Sequence, residues 1–157
     1  PVWAIAASTQ SSLASLPAML EAALRGLSIP PRVADVILPL AVAVFRFTSP
    51  VANLAVCFFV AHLYGLEPSL VLVVSAVIVA YAVSIAAVGL PGQISFIASI
   101  APICPALGVP TEVLGILIAV EVIPDIFRTL GNVTGDLAAT SILARNAPRE
   151  EDERPGA

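Results

Sequence analysis

Glu121, Asp125, Arg128, Thr129, Asn132 and Asp136 recur every three or four residues inside an otherwise apolar stretch near the end of the chain. On an α-helix, at about 100° per residue, they project within an arc of about 100°. Together they form a set of groups able to hold a charged solute. Arg128 presents a planar fork to a carboxylate, and Asp125, just under one turn earlier, can accept from an ammonium. Asn132 and Asp136 offer the oxygen atoms that hard cations prefer. The plainer alternative is that Asp125 and Arg128 pair with each other across i to i+3. Charges are costly in lipid, so the stripe has to face protein, water or a bound solute. Solute movement is the first expectation.

Composition sets the same scene. Hydrophobic residues make up 59% of the chain and charged residues 11%, against about 25% charged in soluble domains, and the mean hydropathy is +1.00. A chain of 157 residues then provides only a few membrane passes of about 20 residues each. The net charge of -4 comes mostly from Glu150, Glu151, Asp152 and Glu153, and no basic patch is available for nucleic acid. Cys57 and Cys104 lie in apolar runs without a metal-ligand spacing and read as packed free thiols. His62, the single histidine, falls near a helix end and reads as an interfacial residue rather than a proton relay. An intramembrane aspartyl enzyme is excluded, because Asp125 and Asp136 stand about 16 Å apart on one helix whereas a proton-sharing dyad needs about 3 Å. No cofactor is expected.

The elements that must position the stripe follow from apolar runs and breakers. Pro1 opens the chain with neither Met nor a basic, signal-like start, which reads as a beginning in mid-protein. Residues 1–29 carry a serine-rich cluster ahead of a short apolar segment with Pro17 near its expected helical start. That segment is either a capped surface helix or the second arm of a re-entrant hairpin with Ser11 and Ser12 at its tip. Residues 30–66 form a spanning helix interrupted at Phe45, Arg46, Phe47, Thr48, Ser49 and Pro50. Residues 67–108 are apolar but broken at Gly89, Leu90, Pro91 and Gly92. The part after the break would make about 22 Å of helix, too short for a core of about 30 Å, so a second hairpin entering and leaving from outside is expected. Residues 109–145 form the last spanning helix, and residues 146–157 a disordered cytoplasmic tail. Arg25, Arg32 and Arg145 mark the cytoplasmic side. The fold class is therefore all-α and integral to the cell membrane, with discontinuous helices and re-entrant hairpins.

The run Asp125, Ile126, Phe127, Arg128, Thr129, Leu130, Gly131, Asn132, Val133, Thr134, Gly135, Asp136 closely resembles the last-helix signature of the dicarboxylate/amino acid:cation symporters, the glutamate transporter family. Ser11 and Ser12 look like the tip of that family's first hairpin, and Leu38, Pro39, Leu40 like the start of its seventh helix. Gly89, Leu90, Pro91, Gly92 resemble the tip of its second hairpin. The resemblance implies symport of an acidic amino acid or a C4-dicarboxylate. Arg128 would hold the distal carboxylate and Asp125 the amino group, with Thr129, Asn132, Ser11, Ser12 and residues Gly89, Leu90, Pro91 and Gly92 closing the site. Asp136 and the Asn132 backbone would contribute to a site for Na+ as coupling ion. It also implies partners: the lipid bilayer, further N-terminal helices of the same carrier and a homotrimer when complete. Dicarboxylate-selective relatives usually lack an acid at the position of Asp125, which tilts the substrate toward acidic amino acids.

One departure stands out. The family usually has Asn-Met-Asp-Gly-Thr where this chain has Phe45, Arg46, Phe47, Thr48, Ser49. A carboxylate is lost and a fixed positive charge gained in a low-dielectric region. Arg46 is therefore expected near Asp136 or Glu121 as a tethered cation that alters coupling. Two other readings stay open: a non-transporting membrane segment or interaction module, and a proton-coupled carrier that uses Glu121 and needs no sodium.

Overall fold

The computed structural model describes residues 1–86 and 93–146, and every regular element among them is helical. The second glycine-proline tip, Gly89 to Gly92, and the tail from residue 147 lie outside the described residues.

The chain opens with a helical hairpin. Helix α1, Val2–Thr9, ends where Gln10 turns into the left-handed region (φ 51°) and donates its N–H to the Ala6 carbonyl. Ser11 then starts α2, Ser12–Glu21, by accepting from the Ala14 N–H at 3.2 Å. The helix thus begins well before Pro17, which falls inside it and not at its expected start. A serine cap supplies the nucleus there, and the proline removes one donor further along. A π-helical turn, Ala22–Gly26, carries α2 on toward α3, Pro31–Val44.

Helix α4, Thr48–Leu63, follows α3 after a break confined to Phe45, Arg46 and Phe47. The break is shorter than the sequence indicates, because Pro50 sits in the first turn of α4, where its missing N–H costs little. Taken as one run, Pro31–Leu63 spans 33 residues and is the one helical stretch among the described residues long and apolar enough to cross a membrane. Helix α5, Leu70–Ala86, packs against a returning arm made of α6, Gln93–Ile100, and α7, Ile103–Leu107, so the arm is itself divided near Pro102. Helix α8, Leu114–Arg145, runs for 32 residues with Pro124 inside.

Two apolar clusters flank α8. One joins Val2 and Ala6 of α1, Met19 of α2 and Ala34, Leu38 and Val42 of α3 to Val133. The other joins Cys57 and Val60 of α4, Ala76 and Ala80 of α5, Phe96, Ile100 and Leu107 of the returning arm to Leu114. Cys57 and Cys104 are buried there as free thiols with their sulfurs 3.9 Å apart. Outside these clusters large apolar side chains face outward, among them Val36 and Leu40 on α3, Phe59 on α4, Leu70 and Val71 on α5 and Ile116, Ile123 and Phe127 on α8. A surface this apolar fits lipid or further protein far better than water. His62 is exposed near the end of α4.

Candidate solute-binding face

Helix α8 buries Glu121, Arg128, Thr129, Asn132, Val133, Asp136 and Thr140, a set that follows the helical period along one face. Apolar residues such as Ile123 and Phe127 occupy the opposite face and are exposed. The elements packed against α8 are α1, α2, α3, α4 and α6.

The first hairpin is tied to α8 at two heights. Trp3 Nε1 donates to Thr134 Oγ1 at 3.2 Å, and Gln10 Nε2 donates to the Val122 carbonyl at 3.4 Å. The serine tip thereby lies beside the turn of α8 that precedes Asp125. Ser11 and Ser12 are both buried there, and Ser15 Oγ donates to the Ser11 carbonyl at 2.9 Å, so the tip is internally braced.

Arg128 is held by two acids of its own helix. Its Nη2 stands 2.7 Å from Glu121 Oε1 and its Nη1 donates to Asp125 Oδ1 at 3.3 Å. Side chains of all three are almost fully withdrawn from solvent. The pairing with Asp125 is the i to i+3 contact that the spacing allows. Yet the guanidinium is not saturated. Its Nε and Nη2 are buried and make no well-directed hydrogen bond among the described residues, despite the short ionic contact to Glu121. These two groups form one edge of the fork, the geometry that takes a carboxylate in bidentate fashion.

One turn beyond Arg128, Asn132 joins α8 to the α3–α4 break. Its Oδ1 accepts from the Thr48 backbone N–H at 3.2 Å, and its Nδ2 donates to Ser49 Oγ at 3.2 Å. An N–H can only donate, so this contact fixes which end of the amide is oxygen. Thr48 Oγ1 lies 2.7 Å from Asn132 Oδ1 and 2.9 Å from the Arg128 carbonyl, sharing one proton between two acceptors. A side chain from α8 therefore caps the N-terminus of α4 in place of a local residue.

This close crossing depends on Gly131 and Gly135. A Cβ at Gly131 would fall 2.7 Å from Thr48 Cγ2, and one at Gly135 would run into the Phe47 ring. Small residues four apart on one helix face let another segment approach. Phe47 and Thr48 seat in these two notches, and the Phe45 and Phe47 rings lie 5.3 Å apart beside them.

Asp136 is the most enclosed of the acids, with no solvent exposure, and neither carboxylate oxygen has a hydrogen-bond partner among the described residues. Thr140 Oγ1 donates at 2.7 Å, but to the Asp136 carbonyl. Arg46, partly buried in the break, lies within Coulombic reach of Arg128, Asp125 and Asp136. Asp125 acts on Arg46 more strongly than Asp136 does, and Glu121 is paired to Arg128.

The expected site residues Ser11, Ser12, Asp125, Arg128, Thr129, Asn132 and Asp136 thus line α8 and the hairpin tip beside it, and Gly89, Leu90, Pro91 and Gly92 lie outside the described residues. Thr48, Ser49, Gly131 and Gly135 escaped the sequence reading as parts of the site. The one available signal was the glycine pair four apart on the polar helix.

Comparison with known proteins adds a lineage to this geometry. The model of the sodium:dicarboxylate symporter family matches residues 1–146. Excitatory amino acid transporter 3 of Mus musculus is 30% identical over 143 residues, covering 91% of this chain and 27% of that protein. Excitatory amino acid transporter 5 of Homo sapiens is 31% identical over 140 residues, covering 89% of this chain and 25% of the relative. Neutral amino acid transporter A of Bos taurus is 30% identical over 141 residues, covering 90% and 26%. The chain spans about a quarter of the length of the curated relatives it matches.

Proposed function

This chain belongs to the sodium:dicarboxylate symporter family, and from that premise we propose that it forms the C-terminal transport core of a cation-coupled carrier for an acidic amino acid or a C4-dicarboxylate. The observation that carries the reading is the Arg128 guanidinium, buried on α8 with one edge unsaturated and Asp125 beside it. A substrate carboxylate takes the Nε and Nη2 edge and displaces Glu121, which holds the same guanidinium without substrate. The substrate ammonium meets Asp125, whose tie to Arg128 is the longer of the two. Thr129 and Asn132 extend the site, and the serine tip of the first hairpin covers it from the side of Val122.

The cation site centres on Asp136 and the Asn132 backbone, because an enclosed carboxylate without hydrogen-bond donors calls for positive charge. Sodium is the ion that the family name supplies. The hairpins are re-entrant, the second one with Gly89 to Gly92 acting as the outer gate, and the C-terminus is cytoplasmic. Further helices of the complete carrier supply the scaffold and the trimer contacts, and the core moves against that scaffold as a rigid unit. The outward apolar faces of α3, α5 and α8 support such a covered setting.

The test is uptake of labelled L-aspartate and of succinate by proteoliposomes holding the complete carrier, with and without an inward sodium gradient. Uptake of either is expected, and absence of both would overturn the reading. The variant Asp125→Asn should lower L-aspartate uptake at least tenfold, equivalent to about 1.4 kcal/mol, with succinate affected less. Equal loss of both would remove Asp125 from ammonium recognition.

A further inference from the structure

Asp136 poses an electrostatic problem that its own helix leaves unsolved. Its carboxylate is fully enclosed and its oxygens make no hydrogen bond among the described residues. Glu121 and Asp125 share Arg128, whereas the nearest acid or base on either side of Asp136 along α8 is Arg128, two turns away, or Arg145 at the helix end. An isolated buried charge is too costly to persist. The neutralising charge has to come from another element or from an ion.

The break between α3 and α4 supplies one. Phe47 seats against Gly135, the residue adjacent to Asp136, and Thr48 seats against Gly131. With both neighbours locked and Asn132 holding the Thr48 N–H, the register of the break against α8 is fixed. Arg46, next in line, is thereby held in the field of two acids, Asp125 and Asp136, with the like charge of Arg128 facing it as well. Its flanking side chains, Phe45 and Phe47, are aromatic and pack on each other, so they bring no oxygen ligand for a metal ion. From Phe45 to Phe47 the segment offers a cation and no side-chain oxygen for another.

We propose that Arg46 is a built-in cation, held by the crossing of the α3–α4 break and α8 in the shared field of Asp125 and Asp136, which takes the place of one sodium ion in the coupling site. Three carboxylates then face two guanidiniums along the binding face, so the carrier still takes up cation with an anionic substrate, but fewer ions than Asp136 would otherwise demand. This rests on the transport reading, yet its test needs no transport.

The complete carrier, purified in detergent without substrate, is unfolded by heat in sodium chloride and in choline chloride of equal ionic strength. The R46M variant should gain a sodium-dependent rise of its midpoint at least about 3 °C larger than that of the wild type. R46K, which keeps the charge, should behave as the wild type, and R46M/D136N should lose the gain. A sodium response of R46M equal to that of the wild type overturns the proposal. Should R46M fail to fold, the double variant decides: recovery of folded protein in R46M/D136N supports the pairing, and no recovery overturns it. Failure of aspartate and succinate uptake in the wild type would count against the proposed function and leave the sodium response of R46M standing.

Discussion

The two ends of the polar face of α8 solve the same problem in opposite ways. Toward the N-terminal end, Glu121 and Asp125 share the single charge of Arg128 inside one helix, at ionic distances of 2.7 and 3.3 Å. Toward the C-terminal end, Asn132 spends its hydrogen bonds on the start of α4, and Asp136 has to look across to the α3–α4 break for charge. Self-compensation leaves a cluster that can exchange an internal acid for an external one. Compensation from a neighbour makes the helix crossing itself part of the electrostatics. The first arrangement suits recognition of a carboxylate, and the second ties ion balance to backbone packing.

The sharpest way to break this contrast is Arg128→Ala. It strands Glu121 and Asp125 as buried, uncompensated acids, at a cost of about 3–5 kcal/mol. Thermal unfolding should fall accordingly and uptake should be lost. Arg128→Lys should recover stability but not uptake, because an ammonium lacks the bidentate fork. An Arg128→Ala carrier as stable as the wild type would show that the acids do not depend on it.

A smaller effect is expected at the crossing. Gly135→Ala drives a methyl into the Phe47 ring, and such overpacking costs about 1–3 kcal/mol. Because it shifts the break, it should also alter the sodium response of the midpoint. The smallest effect is that of Asn132→Ala, which leaves the Thr48 N–H without its acceptor and costs about 1–2 kcal/mol, the worth of a helix cap. Asn132→Asp keeps an acceptor for that N–H and should recover part of the loss in the same unfolding measurement.

The same contrast explains what could be read from the sequence. The Glu121, Asp125 and Arg128 cluster is local, so the helical period alone places its members together, and the polar stripe down to Asp136 is legible for the same reason. The interruption near Phe45 is legible from its composition. Its partner is not, because Thr48 and Asn132 are 84 residues apart and nothing in either neighbourhood names the other. Gly131 and Gly135 lie in plain view within a helix, but a glycine pair says only that something comes close. Only the fold shows that Phe47 and Thr48 do. Pro17 and Pro50 mislead for a physical reason: a proline tells where a donor is missing, and whether that ends a helix depends on what caps it upstream.

The two glycine notches also bear on how the molecule can move. A ring in one and a methyl in the other act as two teeth in two sockets, so the break can neither slide along α8 nor rotate about it without first lifting out of both. Shape as well as hydrogen bonding therefore sets the register of the break against α8.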